Sequence, residues 1–260
     1  MFIVRKVKQS FLYTNENISG FESTVLSQLI TFIGFLLLIV LFRKFFDRKS
    51  FMSLGFSFRP NFRKDLLVGL GLGVGMVGLL FLVFLIAGSI SISGIQLPGY
   101  DFLLVSILFM IVAFSEEIIW RGYMLDNLLS SFNKYLALFI VSLIFALLHA
   151  DSPTMTVLGF LNIFLAGIFL GVYYVYKRNL WFPIGLHFGW NLALGPLFGS
   201  AVSGNEVPSL LQIKVVGNET LTGGGFGFEG SILTPLLFIV AIIIIHRKFG
   251  KASQRGLQAM

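Results

Sequence analysis

The sequence predicts an all-α protein of the polytopic transmembrane class, a helix bundle of about seven spans that encloses a polar site within the membrane. Hydrophobic residues make up 56% of the 260 residues and charged residues only 12%. The mean hydropathy of +0.90 lies outside the range of soluble domains. The apolar residues also occur in runs of about 17 to 25, the length that a helix needs to cross roughly 30 Å of hydrocarbon.

Seven runs of this kind are predicted to be spans, and the first is interpreted as a retained anchor because no small-residue cleavage site follows it. They lie near residues 24–42, 66–88, 102–125, 134–150, 157–176, 180–199 and 231–246.

Basic residues predict the orientation of this bundle. The connection between the first two spans is rich in Lys and Arg, which places it in the cytoplasm. Seven alternating spans then put the N-terminus outside and the C-terminus inside, so the formal net charge of +7 is mainly a signal of topology. Nucleic-acid binding is therefore not indicated. With no cysteine in the chain, disulfides and thiolate chemistry are excluded.

Glycines form two G-x-G-x-x-G patterns, at Gly73 to Gly78 and at Gly225 to Gly230. Neither is predicted to lie in a βαβ unit, so a dinucleotide site is not indicated. The repeated glycines of the second span, GLGLGVG, are interpreted as sites where helix backbones approach closely. The segment TGGGFGFEGS is predicted to be a flexible loop before the last span.

Ionisable residues inside spans are costly and usually line a cavity or contact each other. Five ionisable residues and one residue with an amide side chain are the candidates within the predicted spans: Glu116, Glu117, Arg121, His149, His187 and Asn191. Helical spacing pairs Glu117 with Arg121 and places His187 beside Asn191. Trp120, Trp181 and Trp190 are interpreted as packing residues without a chemical role.

Counting along the chain predicts that two of these groups meet. If the third and fourth spans form a hairpin that turns near residues 130–134, Glu116 and His149 each lie about 16 residues, or roughly 24 Å, from the turn. The two side chains then come level. Because the third span exceeds the bilayer thickness, its polar end at Asp126 is expected to protrude into the cytoplasm, with the site reachable from that inner half.

Three short motifs carry a family resemblance. EEIIWR (116–121), FALLH (145–149) and HFGWN (187–191) resemble the E-E-x-x-x-R, F-x-x-x-H and H-x-x-x-N motifs of the CPBP family, the CAAX prenyl protease and bacteriocin-processing (Abi) intramembrane proteases. The resemblance covers about residues 100–200. It implies three regions: residues 1–100 with anchor spans and a basic loop, a protease core at 101–200, and residues 201–260 with a Gly-rich loop, the last span and a basic tail.

The resemblance also implies a mechanism for peptide hydrolysis without a covalent intermediate. Glu116 and His149 are expected to activate a water molecule, as a carboxylate beside an imidazole in a partly dry cavity is able to do. His187 and Asn191 are expected to stabilise the oxyanion. Glu117 and Arg121 are expected to be supporting residues, with their ion pair holding Glu116 in place. The implied substrate is a membrane-associated or lipidated peptide or protein.

Two alternatives remain open at this stage. The same residue types, Glu116, Glu117, His149 and His187, are also able to bind Zn²⁺ with an open position for water, although no H-E-x-x-H helix is present. A cofactor-free enzyme is nevertheless favoured. A non-enzymatic membrane protein that binds peptides, such as a bacteriocin immunity factor, would use the same polar cluster. The expected location is the lipid bilayer of a bacterial inner (plasma) membrane.

Overall fold

The computed structural model describes residues 20–56, 58 and 61–258, with side chains described up to residue 250. The N-terminal basic residues Arg5, Lys6 and Lys8 lie outside the described residues. Most of the chain is helical. The principal elements are α1 (Gly20–Phe45), α2 (Phe62–Ile86), β1 (Ile90–Ile95), α3 (Tyr100–Ser131), α4 (Lys134–His149), α5 (Val157–Lys177), α6 (Trp181–Leu192), β2 (Leu211–Val215) and α7 (Thr234–Gln258).

Four of these helices are long and apolar enough to cross a membrane. They are the helices Phe21–Phe45, Phe62–Ile86, Tyr100–Ser131 and Val157–Lys177. Each of the seven predicted segments falls on a helix, but α4 is a shorter apolar helix of 16 residues and α6 has only 12. A 16-residue helix extends about 24 Å, less than the hydrocarbon thickness. Among the described residues, four helices are therefore candidate spans, and the predicted count of about seven is not confirmed.

Large apolar side chains cover the outside of the bundle. Leu37 is 59% exposed, Leu67 63% and Ile86 85%, and similar residues follow the outer surfaces of α1, α2 and α7. A water-soluble protein rarely exposes so much contiguous apolar surface. Lipid is the surrounding medium that suits this face, so the protein is an integral membrane protein.

The prediction of a purely α-helical fold is wrong in one respect. β1 and β2 form a two-stranded antiparallel ribbon, in which Ile90 pairs with Val215 and Ile95 with Leu211. The ribbon joins the α2–α3 connection to the connection that follows α6. We call this end of the bundle the ribbon end.

The opposite end, called the basic end, is held by ion pairs. The Arg43 guanidinium, which is 1% exposed, donates to Asp126 Oδ2 at 2.7 Å and to Asp47 Oδ2 at 3.2 Å. Asp126 also pairs with Arg178. The ends of α1, α3 and α5 therefore meet, as expected if these basic connections share one side of the membrane. The assignment of that side to the cytoplasm stays a prediction.

Capping side chains fix where two helices begin. The Asn133 carboxamide oxygen accepts from the backbone N–H groups of Tyr135 and Leu136 at the start of α4. The Thr156 hydroxyl accepts from Gly159 N–H at the start of α5. Both satisfy backbone donors that a helix leaves unpaired at its N-terminus. They set the register of the two helices, and with it the height of His149.

Glycines bring α2 and α6 into backbone contact. A Cβ atom added to Gly73 would lie 2.4 Å from the backbone oxygen of Leu186, and one added to Gly185 would lie 2.1 Å from that of Leu66. Gly69 and Gly189 are equally crowded by the facing backbone. Close approach through small residues is a common packing mode in membranes. The sequence interpretation is confirmed at Gly69 and Gly73, and this contact holds the helix that carries His187.

Candidate active site

The first and third motifs meet through one buried carboxylate oxygen. Glu117 is fully buried, and its Oε1 accepts from Arg121 Nη1 at 2.8 Å. The same oxygen lies 2.8 Å from His187 Nδ1. A carboxylate accepts hydrogen bonds, so the His187 hydrogen resides on Nδ1. The predicted ion pair is thus present, but the group that it holds is His187 and not, as the sequence analysis predicts, Glu116.

Glu116 is adjacent in sequence but faces a different environment. Its side chain is 17% exposed, and its Oε2 lies 3.9 Å from His187 Nε2. Because residues one apart point about 100° away from each other on a helix, Glu117 is directed into the packed interior and Glu116 into a cavity. Of the two adjacent carboxylates, Glu116 is the one that a water molecule or substrate is able to reach.

His149 is oriented by its own helix. Its Nδ1 lies 2.7 Å from the backbone oxygen of Phe145, and a carbonyl oxygen only accepts, so Nδ1 donates. In the neutral ring this leaves Nε2 with a free lone pair. That nitrogen is able to accept a proton, as a general base must.

Phe145 connects the first two motifs. The Arg121 guanidinium lies 4.9 Å from the centroid of the Phe145 ring, and the His149 ring centroid lies 4.5 Å from it. Trp120 packs edge-on at 5.8 Å. Cation–π contact of this kind is strongest where water is excluded. A single aromatic ring therefore fixes the relative positions of Arg121 and His149.

Helical irregularities follow two of the motifs directly. α3 becomes π-helical over Ile118–Leu125, immediately after the glutamates. α6 continues as a π-helical turn over Ala193–Leu197, which contains Pro196 and follows Asn191. π-bulges widen a helix locally and are frequent at functional sites. Here both lie directly after polar residues that line the cavity.

The predicted residues Glu116, His149, His187 and Asn191 all line one cavity of about 430 Å³. The chemical roles assigned to them stay predictions. The cavity wall also includes Phe21 of α1 and Phe238 of α7. The first and last of the principal helices therefore contribute to the wall together with the helices that carry the motifs.

The cavity extends towards the ribbon end. Its wall includes Phe21 at the start of α1, His149 at the end of α4 and Glu206 in the connection after α6. The sequence analysis predicts access from the end that holds Asp126, whereas these wall residues lie towards the other end. Arg43 and Arg178 bind Asp126 at the basic end, and its protrusion into the cytoplasm stays a prediction.

Sequence reasoning missed two carboxylates of the cavity wall, Glu206 and Glu229, of which Glu229 is buried. The Glu229 carboxylate is 7% exposed; its Oε1 accepts from Trp190 Nε1 at 3.1 Å, and its Oε2 accepts from Ser203 N at 2.6 Å. The interpretation of its Gly-rich segment as a flexible loop is wrong, since Phe226 and Phe228 are buried in the core. Trp190 packs in the core as predicted, but it also donates to Glu229.

The four candidate ligands of a metal ion are not arranged as a zinc site. Among the described residues, no three His, Cys, Asp or Glu side chains are grouped as a metal site. Glu117 Oε1 is already bound by Arg121 and His187, while His149 stands against Phe145. Zinc requires three or four protein ligands on one point. As arranged, Glu116, Glu117, His149 and His187 do not fit that requirement.

The fold and site together define a class: a membrane-embedded helical protein with a carboxylate, two imidazoles and an amide around one largely apolar cavity. Residues 98–193 match the family model described as "Type II CAAX prenyl endopeptidase Rce1-like". The resemblance to CAAX proteases predicted from the three motifs is confirmed. The match covers less than half of the chain and includes all three motifs. No curated protein and no solved structure matches the chain.

Proposed function

We propose that the protein is an intramembrane endopeptidase of the CAAX-protease type, which hydrolyses a peptide bond in a membrane-associated peptide or protein. The observation that carries this proposal is the shared cavity of Glu116, His149, His187 and Asn191. Four polar side chains around an apolar cavity are costly unless they act on a ligand. The match of residues 98–193 to the Rce1-like model supports the same conclusion.

In this proposal a water molecule between Glu116 and His149 is the nucleophile. The Glu116 carboxylate accepts one of its protons while the water oxygen forms a bond to the scissile carbonyl carbon. His149 Nε2 accepts a hydrogen bond from the same water and aligns it. Breakdown of the tetrahedral intermediate returns the proton to the leaving amine, which breaks the C–N bond.

His187 and Asn191 are proposed to bind the oxyanion of that intermediate. Because His187 Nδ1 donates to Glu117, Nε2 is able to donate only when the ring carries both hydrogens. The imidazolium is then balanced by the negative charge of Glu117. Asn191, one helical turn further along α6, supplies an amide N–H. Two preorganised donors of this kind account for a large share of catalysis in acyl transfer.

This mechanism uses no metal ion, because the four candidate ligands do not converge on one point. The substrate class proposed from the family is a lipidated, for instance prenylated, polypeptide. The apolar side chains of the cavity, among them Leu108, Phe109 and Leu170, suit an acyl or prenyl chain. We place the protein in a bacterial inner membrane with the N-terminus outside and the C-terminus in the cytoplasm.

The test is hydrolysis by the purified, lipid-reconstituted protein of a membrane-tethered peptide, with and without a prenyl group. Glu116→Gln is expected to abolish cleavage, because the amide does not accept the proton. Glu219→Gln is the matched control, since Glu219 is an exposed carboxylate that does not line the cavity. Binding without cleavage by the unaltered protein would favour the peptide-binding alternative instead.

A further inference from the structure

The described part of the cavity wall is negatively charged. Three carboxylates line it, from Glu116, Glu206 and Glu229, whereas no Lys or Arg side chain of the described residues does so. The two histidines are the only basic groups that this wall offers. The Glu117–Arg121 pair lies behind the wall and is neutral overall.

Three hydrogen-bond donors surround the side-chain oxygens of Glu229. Trp190 Nε1, Ser203 N and the Ser203 hydroxyl all donate to it, at 3.1, 2.6 and 3.0 Å. Burial raises the pKa of Glu229, and these hydrogen bonds oppose that rise. Three donors suit a carboxylate, which only accepts, better than a carboxylic acid.

Hydrogen bonds and glycine conformations of the surrounding backbone position Glu229 in the cavity wall. The Asn162 amide donates to the carbonyl oxygens of Glu229 and Ser231 at 2.8 and 2.9 Å. Gly223 and Gly227 adopt φ values of +92° and +84°, which residues with a side chain rarely adopt. The turn is therefore rigid, and the carboxylate keeps its place in the wall.

The rest of the wall is apolar, so charges inside it are weakly screened. A cationic group that enters next to Glu229 or Glu206 meets an opposite charge. A carboxylate in the same place meets like charges and loses its hydration, and no Lys or Arg of the described residues lines the wall to compensate. The wall therefore distinguishes substrates by the sign of their charge.

We infer that the cavity takes a substrate segment in which a cationic group, a Lys or Arg side chain, adjoins apolar residues, and that it disfavours an acidic side chain at that position. This inference rests on the proposed function and specifies its substrate class. Glu229, which lies outside residues 98–193, and Glu206 at the cavity mouth are the residues that set this preference.

The experiment uses the reconstituted full-length protein and one membrane-tethered apolar peptide. A single position is varied as Lys, norleucine or Glu and moved stepwise across the cleaved bond. At one or more positions, kcat/KM for Lys is expected to exceed that for norleucine by about five- to tenfold. The Glu peptide is expected to be the poorest. The difference should appear mainly in KM.

Variants identify the source of the preference. Glu229→Gln and Glu206→Gln are expected to reduce the Lys-to-norleucine ratio, and Glu219→Gln to leave it unchanged. Glu206 is exposed, so its variant tests the inference even if Glu229→Gln fails to fold. Equal use of Lys and norleucine at every position would overturn the inference while leaving the proposed function intact.

Binding measurements distinguish failure of the proposed function from failure of the charge preference. Fluorescent forms of the same peptides are titrated against Glu116→Gln protein, which binds without cleaving. If the unaltered protein cleaves nothing but the Glu116→Gln protein binds the Lys peptide more tightly, the proposed function fails and the charge preference stands. If neither cleavage nor a difference in binding is seen, both are overturned.

Discussion

The imidazole of His187 on α6 is bound to the carboxylate of Glu117 on α3, with 2.8 Å between Nδ1 and Oε1. The same oxygen accepts from Arg121, so a cation and an imidazole share one buried acceptor. This contact joins two helices that are 70 residues apart in sequence. It also fixes which ring nitrogen of His187 faces Glu116.

The first prediction concerns this acceptor. Glu117→Gln is expected to lower kcat by about 10²-fold, because a misdirected imidazole loses its alignment with the oxyanion. KM is expected to change little, since Glu117 is fully buried and does not line the cavity. The measurement is steady-state hydrolysis of the tethered peptide, with Glu219→Gln in parallel. A variant with unchanged kcat would show that His187 needs no such partner.

The second prediction concerns folding stability. Arg121→Ala leaves the buried Glu117 carboxylate without its cation, which is expected to destabilise the protein by about 3–5 kcal/mol. Arg63→Ala, at an exposed position, is the control and is expected to change the free energy of unfolding by less than about 0.5 kcal/mol. Denaturation in mixed micelles measures both. Equal stabilities would mean that Glu117 is protonated or hydrated.

The third prediction concerns the glycine contact between α2 and α6. Gly73→Ala would place a Cβ 2.4 Å from the Leu186 backbone oxygen and is expected to destabilise the protein by about 1–3 kcal/mol. The displacement of Leu186 should also lower activity through the adjacent His187.

Gly71→Ala provides the control, because a Cβ there meets nothing within 4 Å. It is expected to leave activity unchanged and stability equal or slightly higher. Thermal unfolding of Gly73→Ala and Gly71→Ala, measured side by side, compares the two losses of stability. A loss of the same size in both would show that helix flexibility, not backbone contact, matters at these glycines.

The sequence predicted the positions of the helices better than the number of membrane spans. Apolar run length located each helix, because a hydrophobic run needs an apolar environment whatever its depth. It did not tell a 25-residue helix such as α2 from the 16-residue α4, because apolar composition alone does not set helix length. The ribbon was missed although ISISGI and LQIKV both alternate apolar and polar residues, because the first segment directly follows an apolar span and both are short.

The candidate residues were found because charges are rare in apolar runs and their helical spacing is short-range. Their partners were harder to predict. The i to i+4 rule located the Glu117–Arg121 pair but carried no information about α6, so the contact with His187 was not foreseen. Glu229 was missed for a similar reason, since long-range burial of a Gly-rich turn has no local sequence signature.

The fourth prediction concerns metals. Activity is expected to survive treatment with phenanthroline followed by its removal, and the purified protein is expected to hold less than stoichiometric zinc. The reason is that Glu117 is occupied by Arg121 and His187, so the candidate ligands do not converge. Metal analysis and peptide hydrolysis are measured on the same sample. Loss of activity that Zn²⁺ or Co²⁺ specifically restores would establish the metalloprotease alternative.

The fifth prediction concerns orientation. The chain has no cysteine, so single cysteines report cleanly on sidedness. Met52→Cys, at a 45% exposed position near the basic end, is expected to react only from the cytoplasm, and Leu97→Cys, 85% exposed near the ribbon, only from outside. Membrane-impermeant maleimide on intact cells and on inverted vesicles measures both. Reversed labelling would invert the bundle and place the cavity towards the cytoplasm.

The cavity draws its wall from beyond the segment that carries the three motifs: Phe21 and Gln28 precede it, and Ser203, Glu229 and Phe238 follow it. Residues 98–193 by themselves would form an open cleft whose polar side chains face hydrocarbon. Such a fragment would not be a transplantable catalytic module. A chimera that exchanges only this segment with a relative would keep the chemical groups. Residues of the host protein would complete the cavity wall and so determine which substrate fits.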